Sequence, residues 1–170
     1  MNTPKHVLDG YKVLDFSQII AGPTCTLMLA EMGAEVIKVE LTPAGDHARV
    51  GPIVVDGRSA YFVQHNRGKK GLCLDAKTPE GLAILKGLVA KVDVMLENYA
   101  PGVIGRLGLG YDVVSKINPR LVMCSISRLW SDRSISTRTR VRLGRRGVLR
   151  NHINGRRERR TAPFSHGSNW

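Results

Sequence analysis

Short apolar runs recur along the first 127 residues, with polar and turn-forming residues between them. Strands that are buried on both faces read as near-continuous apolar runs, whereas half-buried strands alternate with a period of two. Both patterns occur here. They predict five strands, over Tyr11–Phe16, Glu35–Glu40, Leu72–Leu74, Val92–Leu96 and Leu121–Ile126.

Helical signals fill the intervals between these runs. Pro23 suits a first helical turn, and Gly33 is placed to end that helix in a left-handed conformation. Thr78 is a hydroxyl cap followed by a proline and an acid, a strong start for a helix. Helices are therefore predicted over Thr24–Met32, from Thr78 to Val89, before Leu107 and over Tyr111–Ile117, with a long loop over Thr42–Ser59.

Strands separated by helices predict an α/β fold, with a parallel Rossmann-like sheet and flanking helices. In such sheets, ligands bind beyond the carboxyl ends of the strands. We expect a binding site there, built from the segments Ser17–Thr24, Leu41–Gly51, Asp75–Thr78 and Asn98–Gly102.

Most of the net positive charge of the chain lies in its last quarter. The formal net charge is +12, which by itself suggests an anionic partner such as nucleic acid. Residues 1–127 carry a net charge of only +2, while residues 128–170 hold twelve Arg, no Lys, Asp132 and Glu158. The chain is therefore divided into a near-neutral domain over 1–127 and an Arg-rich tail over 128–170.

Two features of the sequence indicate the cellular compartment: the three cysteines and the absence of a long apolar run. Cys25, Cys73 and Cys124 have no metal-like spacing, and three cysteines are an odd number, so a reducing compartment is favoured over a disulfide scaffold. We expect a cytoplasmic protein without membrane association. Cys73 and Cys124 are predicted to lie in the core, and Cys25 is interpreted as a small buried residue rather than a nucleophile.

Three segments carry candidate chemistry, each with a plainer alternative. Residues 16–23 (FSQIIAGP) lead from a strand into a helix N-terminus, which favours an anion or a developing oxyanion, although an ordinary tight turn is favoured by the pattern alone. Residues 65–70 (HNRGKK), with Lys77 and Arg106, could bind a phosphate-rich ligand or form a solvated basic loop. Residues 98–102 (NYAPG) could bind a ligand or only form a turn.

Taken in order, these pieces resemble the family III coenzyme A transferases, which include formyl-CoA:oxalate and carnitine-type transferases. The matching stretches are residues 8–40, 45–46 (GD), 66–81, 91–112 and 118–127. The resemblance implies an enzyme that moves CoA from an acyl-CoA to a carboxylic acid through covalent intermediates on an Asp carboxylate. It also implies a homodimer, with CoA and acyl-CoA as substrates, no tightly bound cofactor and no metal.

The resemblance also implies which residues contact the substrate. Positions matching Gln18, Ile19, Ile20 and Ala21 line the thioester, where backbone N–H groups can hold the oxyanion. Positions matching Leu74, Asp75, Ala76, Lys77, Asn98, Tyr99, Ala100 and Arg106 contact CoA. Ile20 departs from formyl-CoA transferase, which has Gln there, so oxalate is not expected as the acceptor. Leu41 also departs from that enzyme, which has an Arg there that reaches CoA.

The nucleophilic Asp of the family has no match, so no catalytic residue is assigned. It follows a Gly-Phe-Gly-Gln-Thr-Gly-Pro turn and a Pro-Gly-Tyr-Asp segment. Read one nucleotide later, the codons of residues 128–134 and 139–143 permit both motifs. The hypothesis is a frameshift after Ser127. It predicts a truncated, incomplete domain with a disordered basic tail, which has lost catalysis and the dimer surfaces. It also predicts that the codons spell both motifs when they are read one nucleotide later.

Two other functions stay open at this point. A 2-methylacyl-CoA racemase of the same family would share most of these segments. A nucleic-acid-binding protein would use the Arg-rich tail electrostatically, although no recognised nucleic-acid fold or aromatic platform accompanies it, so no specific nucleic acid is expected. Binding of CoA by residues 1–127 would favour the transferase and the racemase over the nucleic-acid binder.

Overall fold

A computed structural model describes residues 6–51 and 53–127, together with the backbone of two short strands further along the chain. The strands are β1 (Lys12–Asp15), β2 (Glu35–Leu41), β3 (Val54–Val55), β4 (Arg58–Ser59), β5 (Lys70–Leu74), β6 (Val94–Glu97), β7 (Val122–Ser127), β8 (Arg138–Arg142) and β9 (Val148–Leu149). The helices are α1 (Ala21–Glu31), α2 (Ala60–Asn66), α3 (Pro79–Val89), α4 (Val103–Arg106) and α5 (Tyr111–Ile117), with a 3₁₀ turn over His47–Val50.

One sheet of seven strands organises the chain, in the order β5-β2-β1-β6-β7-β8-β9. The first five are parallel, whereas β8 and β9 are added antiparallel at one end. The chain first builds outward from β1 through β2 to β5 and then returns to the other side of β1 with β6. This reversal is the topological switch point of a Rossmann-like sheet, and it confirms the predicted α/β fold with five parallel strands.

Both faces of the sheet are covered, as the apolar strands predict. Val13 and Leu14 are adjacent on β1, point to opposite faces and are both buried. Leu14 lies in the larger core with residues of α3 and α5, including Leu85 and Val114. Val13 lies in a smaller cluster on the opposite face, against Leu29 of α1. The parallel strands therefore form the central layer between two helical layers.

The structure corrects two local expectations. A helix, α2, follows the loop predicted over Thr42–Ser59, and Ser59 caps it by accepting the Phe62 N–H at 3.2 Å. Its sequence, AYFVQHN, lacks the stripe of Ala, Ile, Leu and Val that marks α3. Cys73 is exposed rather than in the core, because β5 is the edge strand of the sheet. Cys25 and Cys124 are half-buried.

The prediction of a disordered tail over 128–170 lies almost entirely outside the described residues. Only the backbones of β8 and β9 are described there, and they continue the sheet from β7. The domain division after Ser127 stays a prediction.

Candidate functional site

The carboxyl ends of the parallel strands bring together segments that lie far apart in the sequence. The loops that follow β1 and β6 meet at the switch point, where Phe16 N donates to Leu96 O at 2.8 Å. Just beyond, the Asn98 side chain forms two hydrogen bonds with the Gln18 backbone. Its Oδ1 accepts the Gln18 N–H at 2.7 Å, and its Nδ2 donates to the Gln18 carbonyl at 2.8 Å. We call this pair the Asn98–Gln18 clasp. It fixes two predicted site segments, 17–24 and 98–102, against each other.

A buried lysine lies beneath the β1–α1 loop. Lys69 Nζ forms an ion pair with Asp15 Oδ2 at 3.0 Å, and the two side chains are 1% and 0% exposed. The same ammonium donates to the Pro23 carbonyl at 2.9 Å, to Thr26 Oγ1 at 2.7 Å and to Asn66 Oδ1 at 2.9 Å. Lys69 therefore ties the end of β1, the first turn of α1 and the end of α2 to a single point.

This placement corrects the interpretation of residues 65–70 as a solvated or phosphate-binding basic loop for Lys69 alone. The Lys69 ammonium points inward and is fully occupied by protein oxygens. Burial lowers the pKa of Lys69, while Asp15 acts in the opposite direction. Arg67 pairs with Glu31, and Lys70 pairs with Glu35 at 2.9 Å on the surface.

A second buried ion pair supports the next residues of the same loop. Lys38 Nζ contacts Asp46 Oδ2 at 2.9 Å with the two side chains 2% and 0% exposed, and it donates to the Ser17 carbonyl at 2.6 Å. Asp46 Oδ1 accepts the N–H groups of Ile19 at 3.0 Å and of Ala48 at 2.9 Å. Asp46 thus has three defined partners, namely Lys38, Ile19 and Ala48.

The charges around Asp46 keep it ionised in spite of burial. Burial alone would raise the pKa of Asp46, but the N–H groups of Ala48 and Ile19 and the Lys38 ammonium hold it below its ordinary value. Glu40 behaves in the same way: burial opposes ionisation, whereas Arg49 and the Asp46 N–H lower its pKa. Glu40 binds Arg49 through both oxygens at 2.6 Å. The preceding Gly45, at φ +66°, allows the turn that brings Asp46 inward, since a Cβ there would lie 2.9 Å from the Glu40 carboxylate.

Ile19 has a strained backbone at the centre of this network. Its φ is +69°, which is rare for a β-branched residue and costs on the order of 1–3 kcal/mol. Such a conformation persists only when its surroundings hold it, and here Asn98 holds the residue before and Asp46 holds the Ile19 N–H. The N–H groups of Ile20 and Ala21, which follow, donate no hydrogen bond within the described part of the chain.

These N–H groups begin α1, which has no side-chain cap. The N-terminus of a helix carries a partial positive charge and favours an anion or a developing negative charge. Ile19, Ile20 and Ala21 are exposed, so a ligand can reach this point. The predicted thioester segment therefore lies on an open, rigidly held helix start, with Gln18 half-buried in the clasp.

The predicted CoA contacts lie at the same edge but are not equally close to the clasp. Asn98 and Tyr99 are half-buried beside it, and Ala100 is exposed. Leu74 ends β5, and Asp75, Ala76 and Lys77 follow it. Strand β5 is separated from β1 by β2, a span of about 10 Å at the usual strand spacing. Arg106 ends α4 and is exposed, as is Lys77, while Ala76 is buried.

Asp75 organises its own turn rather than standing free. Its carboxylate accepts the Lys77 N–H at 2.8 Å, and its carbonyl accepts the Thr78 hydroxyl at 2.9 Å. Thr78 in turn caps α3 by accepting the Gly81 N–H at 3.1 Å, as the sequence predicts. The Lys77 side chain is thereby carried by a stiff turn at the carboxyl edge.

Glu97 and Tyr99 are buried polar groups on the β6 side of the site. The pKa of Glu97 is raised by burial, which outweighs its hydrogen bonds from Ser125 and from the Tyr99 N–H at 2.8 Å. Burial, followed by the nearby Glu97 carboxylate, raises the pKa of Tyr99 to about 12. The Tyr99 hydroxyl is therefore neutral at pH 7 and can donate a hydrogen bond.

The cysteines near the site are not activated. Burial raises the pKa of Cys25 and raises that of Cys124 to about 11. A thiol of this kind is a poor nucleophile at neutral pH, which agrees with the interpretation of Cys25 as a small packing residue. No cluster of three or more potential metal-binding side chains occurs among the described residues, and no helix within that part of the chain is long and apolar enough to cross a bilayer.

Sequence reasoning missed Lys38 and the inward role of Lys69. The signal for Lys38 was available: a lysine in the middle of the strand EVIKVE shares a face with Val36 and Glu40, and all three are buried. A buried lysine needs an anionic partner, and the nearby Gly-Asp pair provides it. Nothing in the HNRGKK segment distinguishes Lys69 from Lys70.

Comparison with known proteins gives one family. The family model of CoA-transferase family III matches residues 8–132. The succinyl-CoA:glutarate CoA-transferase of Mus musculus is 46% identical over 121 residues, which are 71% of this chain and 28% of that protein. The formyl-CoA:oxalate CoA-transferase of Afipia carboxidovorans is 46% identical over 121 residues, 70% of this chain and 28% of that protein.

Solved structures show the same relationship. Rv3272 from Mycobacterium tuberculosis superposes with a TM-score of 0.72 at 38% identity, over 80% of this chain and 38% of that one. A CAIB/BAIF family protein from Brucella suis gives a TM-score of 0.67 at 43% identity, over 72% of this chain and 34% of that one. The chain thus spans less than a third of the length of the curated relatives described above.

Proposed function

Since the chain belongs to CoA-transferase family III, we propose that the carboxyl edge of its sheet binds the CoA thioester substrate of a CoA transfer. The observation that carries this proposal is the Asn98–Gln18 clasp, with bonds of 2.7 and 2.8 Å. It holds two family-matching segments together at the switch point, where ligands of such sheets bind. The substrate pair would be an acyl-CoA and a carboxylic acid.

The arrangement suits a long, anionic ligand. Residues 74–77 and the β1–α1 loop are separated by an intervening strand, so one molecule must be extended to touch both. In the proposal, Gln18, Ile19, Ile20 and Ala21 lie around the thioester. Lys77 and Arg106 provide exposed cations for phosphate groups, while Leu74, Asp75, Ala76, Asn98, Tyr99 and Ala100 complete the CoA contacts.

The chain is not proposed to complete the transfer by itself. Family chemistry requires a carboxylate nucleophile, and three carboxylates that the structure describes at this edge already have other partners. Asp15 and Asp46 are fully buried in ion pairs with Lys69 and Lys38, and Asp75 holds its own turn. We propose a protein that binds CoA but does not turn it over. The frameshift hypothesis gives the reason, and the DNA sequence around codon 128 tests it directly.

The two alternatives are weaker. A racemase-type member is not favoured, because the relatives reported above are CoA-transferases. Nucleic-acid binding would depend on the arginine side chains beyond residue 127, which lie outside the described side chains.

Calorimetric titration of the full chain with CoA tests the proposal. Lys77→Ala and Arg106→Ala should each weaken binding about tenfold, since a hydrogen bond to a charged group contributes about 1.5 kcal/mol. Lys91→Ala and Arg120→Ala are matched controls, because both residues are exposed and lie within three residues of the start of β6 and β7, at the opposite edge. The controls should bind CoA like the unaltered chain.

Two results would contradict the proposal. One is no binding of CoA by the folded, unaltered chain. The other is equal weakening by the control substitutions, which would indicate non-specific attraction to a basic protein. A parallel titration with duplex DNA addresses the alternative: tight DNA binding without CoA binding would favour the Arg-rich tail as the functional part.

A further inference from the structure

We propose that Asp46, held by Lys38, is a positioning residue that gives this site its preference for an acyl-CoA thioester over a CoA derivative that lacks the carbonyl oxygen. The inference rests on the proposed function and deepens it, because it names the groups that set the geometry of the β1–α1 loop. Asp46 belongs to a different loop, after β2, and reaches across to the loop it controls.

The backbone of the β1–α1 loop is held by side chains at nearly every polar atom before Ile20. Asp15 accepts the Ser17 N–H at 2.9 Å, and Lys38 donates to the Ser17 carbonyl at 2.6 Å. Asn98 forms hydrogen bonds with both the backbone N–H and the carbonyl of Gln18. Asp46 takes the Ile19 N–H at 3.0 Å. The series of holding contacts ends there, and the next two N–H groups have no acceptor among the described residues.

Asp46 is the contact that acts on the strained residue itself. Ile19 has a φ of +69°. Within the described residues, its N–H is the last one in the loop that a side chain binds, and the unbonded N–H groups of Ile20 and Ala21 come directly after it. Without Asp46, nothing in the described structure holds the Ile19 N–H, and the backbone can relax to an ordinary conformation. In the proposal, this relaxation changes the directions of the Ile20 and Ala21 N–H groups and weakens their binding of a carbonyl oxygen.

Lys38 keeps Asp46 suited to this task. Its ammonium contacts the second carboxylate oxygen at 2.9 Å, which leaves Oδ1 for Ile19 and Ala48. Lys38 also binds Ser17 O in the same loop. The pair therefore connects the loop to β2 through two buried side chains. Neither side chain is exposed to a ligand, so the role is to position the loop and not to contact the substrate.

The test compares two ligands of nearly equal size on the full chain. Acetyl-CoA has the thioester carbonyl, whereas the thioether S-ethyl-CoA lacks that oxygen. The unaltered chain should bind acetyl-CoA about tenfold more tightly. Asp46→Ala should remove this preference while S-ethyl-CoA binding stays within twofold. Asp46→Asn, which keeps an oxygen acceptor for the Ile19 N–H, should retain most of the preference.

Asn118→Ala is the matched control, because Asn118 is also a side-chain clamp, donating to Val89 O at 3.1 Å and Val92 O at 2.8 Å at the opposite edge. It should lower stability and leave the preference intact. If Asp46→Ala does not fold, Lys38→Met carries the test, with an expected loss of preference of about threefold.

The inference is overturned if Asp46→Ala keeps the preference, if it weakens both ligands equally, or if the unaltered chain shows no preference. In each of these results binding of CoA itself remains, so the proposed function stands. Failure of the proposed function has a different signature, namely that the unaltered chain binds neither ligand.

Discussion

Lys69 and Lys70 are neighbours in the sequence and have opposite surroundings in the structure. Lys69 is 1% exposed and forms an ion pair at 3.0 Å with Asp15, which is 0% exposed. Lys70 is 71% exposed and pairs at 2.9 Å with Glu35, which is 40% exposed. The distances are almost equal, so distance does not decide what each pair contributes.

Burial decides it. Exposed ion pairs contribute about 0–1 kcal/mol, because water already solvates both charges. Removing one partner of a buried pair leaves an uncompensated charge and costs about 3–5 kcal/mol. The buried pairs lie under the carboxyl edge of the sheet, where the candidate site is, and the exposed pair lies at the amino end of β2. The fold therefore concentrates its electrostatic constraint at the site.

The sharpest way to break this comparison is to remove each lysine in turn. Lys69→Ala should destabilise the chain by about 3–5 kcal/mol, because Asp15 stays buried without its cation. Lys70→Ala should cost less than about 1 kcal/mol. Urea unfolding followed by circular dichroism measures both. Equal losses for the two variants would show that burial does not separate these pairs.

A second comparison uses two glycines in helices, one at the site and one away from it. A Cβ at Gly22 would overlap the Ser17 side chain, so Gly22→Ala should cost about 1–3 kcal/mol through overpacking. A Cβ at Gly87 meets nothing within 4 Å, and Gly87→Ala in α3 should stabilise by about 0.5–1 kcal/mol. Opposite shifts of the unfolding midpoint are expected. A stabilising Gly22→Ala would contradict the close approach of α1 to the β1 loop.

A third comparison concerns two buried carboxylates with opposite pKa shifts. Asp46 has a lowered pKa, so it contributes stability at pH 7 that is lost as the pH falls through its folded pKa. Glu97 has a raised pKa, mainly from burial, so its charge lowers stability at pH 7. Asp46→Asn should therefore destabilise at pH 7, and Glu97→Gln should give a small gain.

The Glu97 difference should fade as the pH falls from the raised folded pKa of Glu97 to about 4.3, whereas the Asp46 difference should shrink only below about 4. Unfolding curves at several pH values check the two signs. If Asp46→Asn and Glu97→Gln changed the free energy of unfolding in the same direction at pH 7, the result would contradict the assignment of Lys38 as the cation that stabilises Asp46 and that Glu97 lacks.

The sequence predicted the layers of this fold better than its irregular parts. The five parallel strands follow from their apolar runs, and the Thr78 cap of α3 follows from local chemistry alone. Helix α2 could not be recognised in the same way, since AYFVQHN has no clear helical stripe. Cys73 was misplaced because its strand pattern does not reveal that β5 lies at the edge of the sheet.

The site was predictable as a set of segments but not as a network. Loops after parallel strands must share an edge, so the grouping of residues 17–24 and 98–102 followed from the fold class. The ion pairs of Lys38 and Lys69 depend on which side chains face each other across distant loops. The strain at Ile19 depends on those contacts and has no signal of its own in the sequence.

Amide chemical-shift mapping of the full chain on addition of CoA tests the central claim most directly. The account predicts shifts at Ile19–Ala21, at Asn98–Ala100 and at Asp75–Lys77, all at the carboxyl edge. It predicts no shifts at Lys12, Asp93 or Asn118, which lie at the amino edge. Shifts confined to the amino edge, or to the arginine-rich residues beyond 127, would contradict it.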